Sequence, residues 1–165
     1  MLNCSGCEER GRKIAALFSP RLRKPCRSDV IAEARQWIGT PFHHQGYAKG
    51  VGTDCIGLVA GVGLALNIQG AKEWRDDASL HQYGRPPDPR FLLQTCARFL
   101  DRIVAPEPAD ILLMSFEREP MHFAIMVEPS RVVHALYGMG SVVEHRIDSG
   151  WHSRIRGAYS YRGLE

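Results

Sequence analysis

The chain has 165 residues, 44% hydrophobic and 24% charged, the balance of an ordinary globular protein with room for one hydrophobic core. Its net charge of +3 is uneven: residues 1–27 hold seven Arg or Lys against Glu8 and Glu9, while the remainder is slightly acidic. Five cysteines, an odd number, argue against a closed disulfide framework. We therefore divide the chain into a basic extension, 1–27, and one domain, 28–165. A basic tail can touch an acidic partner, but its plainer reading is a solvated extension, and we expect no nucleic-acid partner. Cys4 and Cys7 form a lone C-x-x-C, short of the four ligands of a structural zinc site. The N-terminus lacks the apolar stretch of a secretory signal, and the longest apolar run, 55–66, is too short to span a bilayer.

The first predicted element is a helix over 30–38. Ser28 or Asp29 can cap it, and Val30, Ile31, Ala34, Trp37 and Ile38 make an apolar face at helical spacing. Gly39 and Pro41 stop it. A glycine-rich loop follows. Residues 55–66, C-I-G-L-V-A-G-V-G-L-A-L, are apolar on every side and predict a helix buried all round. Its glycines at 57, 61 and 63 lower helix propensity, so close packing of a neighbour must offset them. A polar, turn-rich stretch, 70–87, has room for a short helix near 73–82. Asp88 and Pro89 suit the N-cap and first turn of a further helix, with Leu92, Leu93, Cys96, Phe99, Leu100 and Ile103 as its apolar face. The pattern then changes to short runs bounded by Pro, Gly or Ser: 111–114, 122–127, 131–137, 141–147 and 158–162. Helices first and closely linked strands second predict an α+β fold, with N-terminal helices packed on a central antiparallel sheet.

Cys55 sits where the loop gives way to the buried helix. Free N–H groups and the helix dipole at such a place favour a thiolate, and they point at whatever the sulfur attacks. By itself the residue also reads as a small hydrophobe opening a core helix. The histidines weigh against that. If Glu128, Pro129 and Ser130 form a three-residue turn, Val127 faces Arg131, and His134 lies opposite Ala124, diagonal to His122 on one face. Diagonal neighbours are about 7–8 Å apart, within reach of two imidazoles. A buried helix covering that face would then assemble a cysteine nucleophile, a histidine base (His122) and a group orienting the base (His134). His43 and His44 can line the same site from the loop. His81, His145 and His152 lie in polar contexts and read as surface. No carboxylate partner or H-E-x-x-H-like pattern accompanies Cys55, His122 and His134, so we expect neither a metal nor a cofactor.

At this point the motifs A-R-Q-W-I-G-T-P-F, G-T-D-C-I-G-L-V, P-A-D-I-L-L-M, M-H-F-A-I-M-V and V-V-H-A resemble the NlpC-type cell-wall peptidases. The wording P-F-H-H-Q and the late S-V-V-E…W…R-I…Y run resemble the branch associated with phage tails and prophages. The resemblance spans about residues 28–162. It implies a papain-like fold and hydrolysis of peptidoglycan stem peptides, usually between D-glutamate (through its γ-carboxyl) and diaminopimelate or lysine. Cys55 matches the nucleophile, His122 the base and His134 the third polar residue. It also implies synthesis in the bacterial cytoplasm and carriage on a phage tail, with tail proteins as partners of the extension.

Two positions depart from the family. Its usual tyrosine after the proline, an oxyanion donor, is Phe42 here, so His44 or the backbone would have to substitute. Its frequent serine after the nucleophile, which helps the preceding aspartate hold the substrate amine, is Ile56; Asp54 is kept and can pair with an ammonium. The substrate-binding residues expected are thus Asp54, Phe42 and His44. The same departures motivate an alternative, a tail-assembly or docking protein with weak or no catalysis. A papain-like amidase or acyltransferase is a third reading, because a triad defines acyl transfer and not the acyl group.

Overall fold

A computed structural model describes residues 23–77, 82–85, 87–116 and 120–165. Most of the basic extension, with its C-x-x-C pair, and His81 lie outside the described residues. The last part of the extension is tied to the fold: Arg27 N–H donates to the carbonyl of Glu165 (3.1 Å), and its guanidinium donates to the buried Asp110 carboxylate (2.9 Å). Helix α1 spans Arg27–Arg35 and starts three residues earlier than the sequence suggests. Cys26 is its N-cap; Asp29 lies inside, reaching back to the Cys26 N–H as in a capping box. Arg35 pairs with Glu128 and Glu144, pinning the end of α1 to the sheet.

Short strands β1 (Tyr47–Ala48) and β2 (Gly52–Thr53) form a hairpin that delivers the chain into α2, Cys55–Ala65. From Cys55 to Gly63 every residue of α2 is buried, as its apolar run predicts. The glycines are offset by close approach. A Cβ at Gly57 would lie 1.9 Å from the carbonyl oxygen of Gly46, and one at Gly61 would lie 2.3 Å from the Trp37 ring. Helix α3 covers Ala71–Asp76, and α4 covers Pro89–Phe99 with Asp88 as the expected N-cap. The apolar face of α4 is shorter than predicted. Leu92, Cys96 and Phe99 are buried, but Leu93 is 45% exposed. Leu100 and Ile103 belong to an unforeseen strand, β3 (Leu100–Ile103), drawn out of the helix by pairing with the last strand.

The remaining strands are β4 (Ile111–Ser115), β5 (Pro120–Glu128), β6 (Arg131–Leu136), β7 (Ser141–Arg146) and β8 (Ile155–Tyr161), with a short helix α5 (Ser149–His152) before β8. They form a six-stranded antiparallel sheet in the order β3-β8-β4-β5-β6-β7. One face packs on the helices through Ile111, Leu113, Phe123, Ile125, Val133 and Ala135. The other buries Leu112, Met114, Ala124, Met126 and Val132 under Ile147 and Trp151. β4 is buried on both faces, which is why its sequence does not alternate.

The β5–β6 turn corrects one step of the sequence reading. Glu128 pairs with Arg131, leaving a two-residue turn rather than three. A bulge between Met126 and Glu128 absorbs the difference, so Ile125 still faces Val133 and the predicted register holds along the strands. His122 and His134 therefore share a face. It is not the face that α2 covers, however, but the opposite one, with Ala124 and Met126.

Candidate active site

The chain reaches Cys55 through Asp54, the N-cap of α2, whose Oδ1 accepts from the Gly57 N–H (3.0 Å). Its Oδ2 accepts from the Gln45 N–H (2.7 Å) and from the Tyr83 hydroxyl. Gln45 holds a left-handed conformation (φ 61°) to present that N–H, and its side-chain amide donates to the Tyr83 carbonyl (2.8 Å). His44 donates from Nε2 to the same carbonyl (3.1 Å), and its Nδ1 lies 3.6 Å from Asp54. Loop 42–54 and Tyr83 thus lock the start of the helix. Asp54 is buried and already accepts three hydrogen bonds, so little of its acceptor capacity is left for a substrate ammonium. His44 has committed its donor nitrogen to Tyr83 and does not replace the hydroxyl absent at Phe42.

Cys55 and His122 meet at the end of the sheet, where β4 and β6 end and β5 begins, rather than across a helix-covered face. Both line one cavity of about 330 Å³, together with Phe42, His44, Asp54, Arg85, Phe116, Met121, Ala135, Leu136 and Tyr137. His134 does not line it; it sits directly behind His122, fully buried, with its Nδ1 2.8 Å from His122 Nε2. His122 is thereby tethered through Nε2, and its Nδ1 is the nitrogen left for the cavity. His43 is exposed.

Burial dominates the electrostatics. It pushes the Cys55 thiol up to about 12, and the Asp54 carboxylate adds to the rise; the N–H groups of Phe123, Ile56 and Cys55 pull the other way without overcoming it. The thiolate expected from the helix N-terminus is therefore not the resting form. Burial holds His122 down at about 3, with His145 as a second cause. It holds His134 at about 2, with His122 and then His145 contributing. The resting site is a neutral thiol beside neutral imidazoles.

His145 is not a surface residue as the sequence suggests. Its ring lies 4.7 Å from that of His134 and 4.3 Å from Trp151, and Nε2 of both His134 and His145 is buried without a protein partner. The β6–β7 register puts it diagonal to His134, on the same face. Sequence reasoning also missed Gln45, Tyr83, Arg85 and Tyr137. Register alone could have found His145, by extending the β5–β6 alternation to β7; the others come from loops and a 3₁₀ turn, where no periodicity marks them. Among the described residues, no group of three or more His, Cys, Asp or Glu is placed to hold a metal ion, and no helix is long and apolar enough to cross a membrane.

No family model and no curated protein matches the chain. Solved structures do. An NlpC/P60 family protein from Bacillus cereus superposes with a TM-score of 0.60 at 16% identity, over 85% of this chain and 41% of that one. A similar-to-lipoprotein NLP/P60 family protein from Staphylococcus aureus gives 0.55 at 18% identity, over 90% of this chain and 43% of that one. The NlpC/p60 domain of the peptidoglycan hydrolase SagA gives 0.52 at 22% identity, over 81% of this chain and 97% of the domain. The chain spans about two fifths of the length of the first two. With helices packed on an antiparallel sheet and a cysteine opening the buried helix at the sheet's end, the chain has the papain-like α+β fold of the NlpC/P60 proteins.

Proposed function

We propose that the chain is a cysteine peptidase that hydrolyses peptidoglycan stem peptides, at the bond between γ-linked D-glutamate and diaminopimelate or lysine. One observation carries the reading: Cys55, the first residue of α2, shares a cavity with His122, whose ring is held by His134 at 2.8 Å. The motif resemblance and the similarity in fold to a peptidoglycan hydrolase domain support the substrate class.

The neutral resting site fits a general-base mechanism. The mechanism takes the tautomer in which His122 Nε2 donates across the 2.8 Å contact to His134 Nδ1, which leaves Nδ1 of His122 basic. As a scissile carbonyl enters, Nδ1 takes the thiol proton while the sulfur attacks. The N–H of Cys55, unpartnered within the helix as all first-turn N–H groups are, faces the developing oxyanion. His122 then returns the proton to the leaving amine, and water resolves the thioester. Carriage on a phage tail is part of the same proposal and rests on the sequence wording alone.

The test is digestion of purified sacculi by the wild type and Cys55→Ala, with released muropeptides read by mass spectrometry. Release by the wild type alone supports the peptidase; equal release by both refutes it. A second reading, a docking protein with weak catalysis, draws on the raised Cys55 thiol and on Phe42. It predicts no release by either protein.

A further inference from the structure

Among the described residues, the cavity that holds Cys55 and His122 has one arginine or lysine on its wall, Arg85. Its guanidinium lies over the ring of Tyr137, 3.5 Å from the centroid, and 5.7 Å from that of Phe42. These two rings meet edge to face at 5.5 Å and form a seat for it. A guanidinium stacked on an aromatic face keeps the N–H donors at its edge available for a planar acceptor. No carboxylate of the described residues takes them. Among the described lining residues the carboxylate is Asp54, and it is occupied by Gln45, Tyr83 and Gly57. Arg85 itself is exposed to the solvent that a ligand would displace. The cavity that holds Cys55 and His122 therefore presents a ring-stacked cation with no carboxylate partner among the described residues. Phe42 also gains a purpose: where a hydroxyl is absent, a flat apolar ring helps support the guanidinium.

We propose that Arg85 is a specificity-determining residue that takes a carboxylate of the bound peptide, so that the site selects acidic stem peptides over neutral ones. The inference rests on the peptidase reading above. Two carboxylates are available by chemistry. A glutamyl residue linked through its γ-carboxyl has a free α-carboxyl on the acyl side of the scissile bond. Diaminopimelate has a second carboxyl on the leaving side, which lysine lacks.

Four synthetic peptides separate these sources: L-Ala-γ-D-Glu or its α-amide, each followed by diaminopimelate or lysine. The measurement is kcat/KM for the full chain, wild type, Arg85→Gln and Arg85→Lys. For a solvent-exposed charge pair we expect the wild type to prefer one member of a pair by about fivefold. Arg85→Gln should reduce that preference to within about twofold, with Arg85→Lys in between. Loss of the acid-over-amide preference assigns the α-carboxyl; loss of the diaminopimelate-over-lysine preference assigns the other. If Arg85→Gln moves neither ratio, the inference is overturned. Calorimetric binding of the same peptides to Cys55→Ala, with and without Arg85→Gln, makes the test independent of turnover. Charge-selective binding that Arg85→Gln abolishes, with no cleavage by the wild type, refutes the peptidase reading and sustains the carboxylate site. Equal binding of all four peptides refutes the site.

Discussion

The neutral resting thiol is the feature on which the mechanism turns, and alkylation across pH tests it. A rise of the Cys55 thiol from 9.0 to about 12 corresponds to about 4 kcal/mol against the thiolate. A helix N-terminus returns only about 0.3–2 kcal/mol, so burial outweighs the dipole. At pH 7 the thiolate fraction is then on the order of 10⁻⁵, roughly a thousandfold below that of an unperturbed thiol. The more basic thiolate is intrinsically more reactive by roughly 20–30-fold. The net expectation is iodoacetamide labelling of Cys55 at pH 7 slower than that of an ordinary thiol by a factor of about 30–50. The rate should climb about tenfold per pH unit to pH 10 without a plateau.

Readout must be site-resolved by peptide mass spectrometry. Cys26 lies near the surface with its thiol lowered by the Ser28 hydroxyl, despite the opposing Asp29 carboxylate, and will label first. A labelling midpoint for Cys55 below pH 7 would refute the reasoning and point instead to a preformed thiolate–imidazolium pair. Slow labelling at neutral pH, by contrast, is compatible with the peptidase, because a general-base mechanism needs no resting thiolate.

Three further outcomes follow from packing and charge. His122 and His134 are held near 3 and 2, far below 6.5, so unfolding takes up protons as pH falls through 6.5, and their stability contribution is lost from there down toward pH 3; urea denaturation should show a loss of about 4 kcal/mol between pH 7.5 and 5, and a loss under 1 kcal/mol would contradict the buried neutral pair. Gly57→Ala should cost at least about 3 kcal/mol, because its Cβ meets a backbone carbonyl at 1.9 Å, whereas Gly138→Ala, with open space around it, should change stability by no more than about 0.5 kcal/mol. Tyr83→Phe removes a hydrogen bond to the buried Asp54 carboxylate, for an expected loss of about 1.5–3 kcal/mol, read as a fall in Tm of roughly 4–10 °C.

What was legible in the sequence, and what was not, divides along a physical line. The buried helix was legible because nine successive buried residues leave no polar face to mistake. The His122–His134 contact was legible because side-chain alternation survives a wrong turn length when a bulge restores the register. Strand β3 was not, because Leu100 and Ile103 continue the helical spacing of α4 and only the edge of β8 turns them into a strand. Tyr83 and Arg85 were not, because their roles depend on where a turn-rich stretch lies relative to loop 42–54, and neither stretch has a period. Cys55 combines both cases. Its place at a helix start is a local fact, and it rightly suggested stabilisation of an anion. The same residue is buried by tertiary packing beside the Asp54 carboxylate, and burial first, with that carboxylate second, raises the thiol by more than the surrounding N–H groups lower it. The motif therefore identifies which sulfur to watch, while the packing keeps that sulfur a neutral thiol at rest.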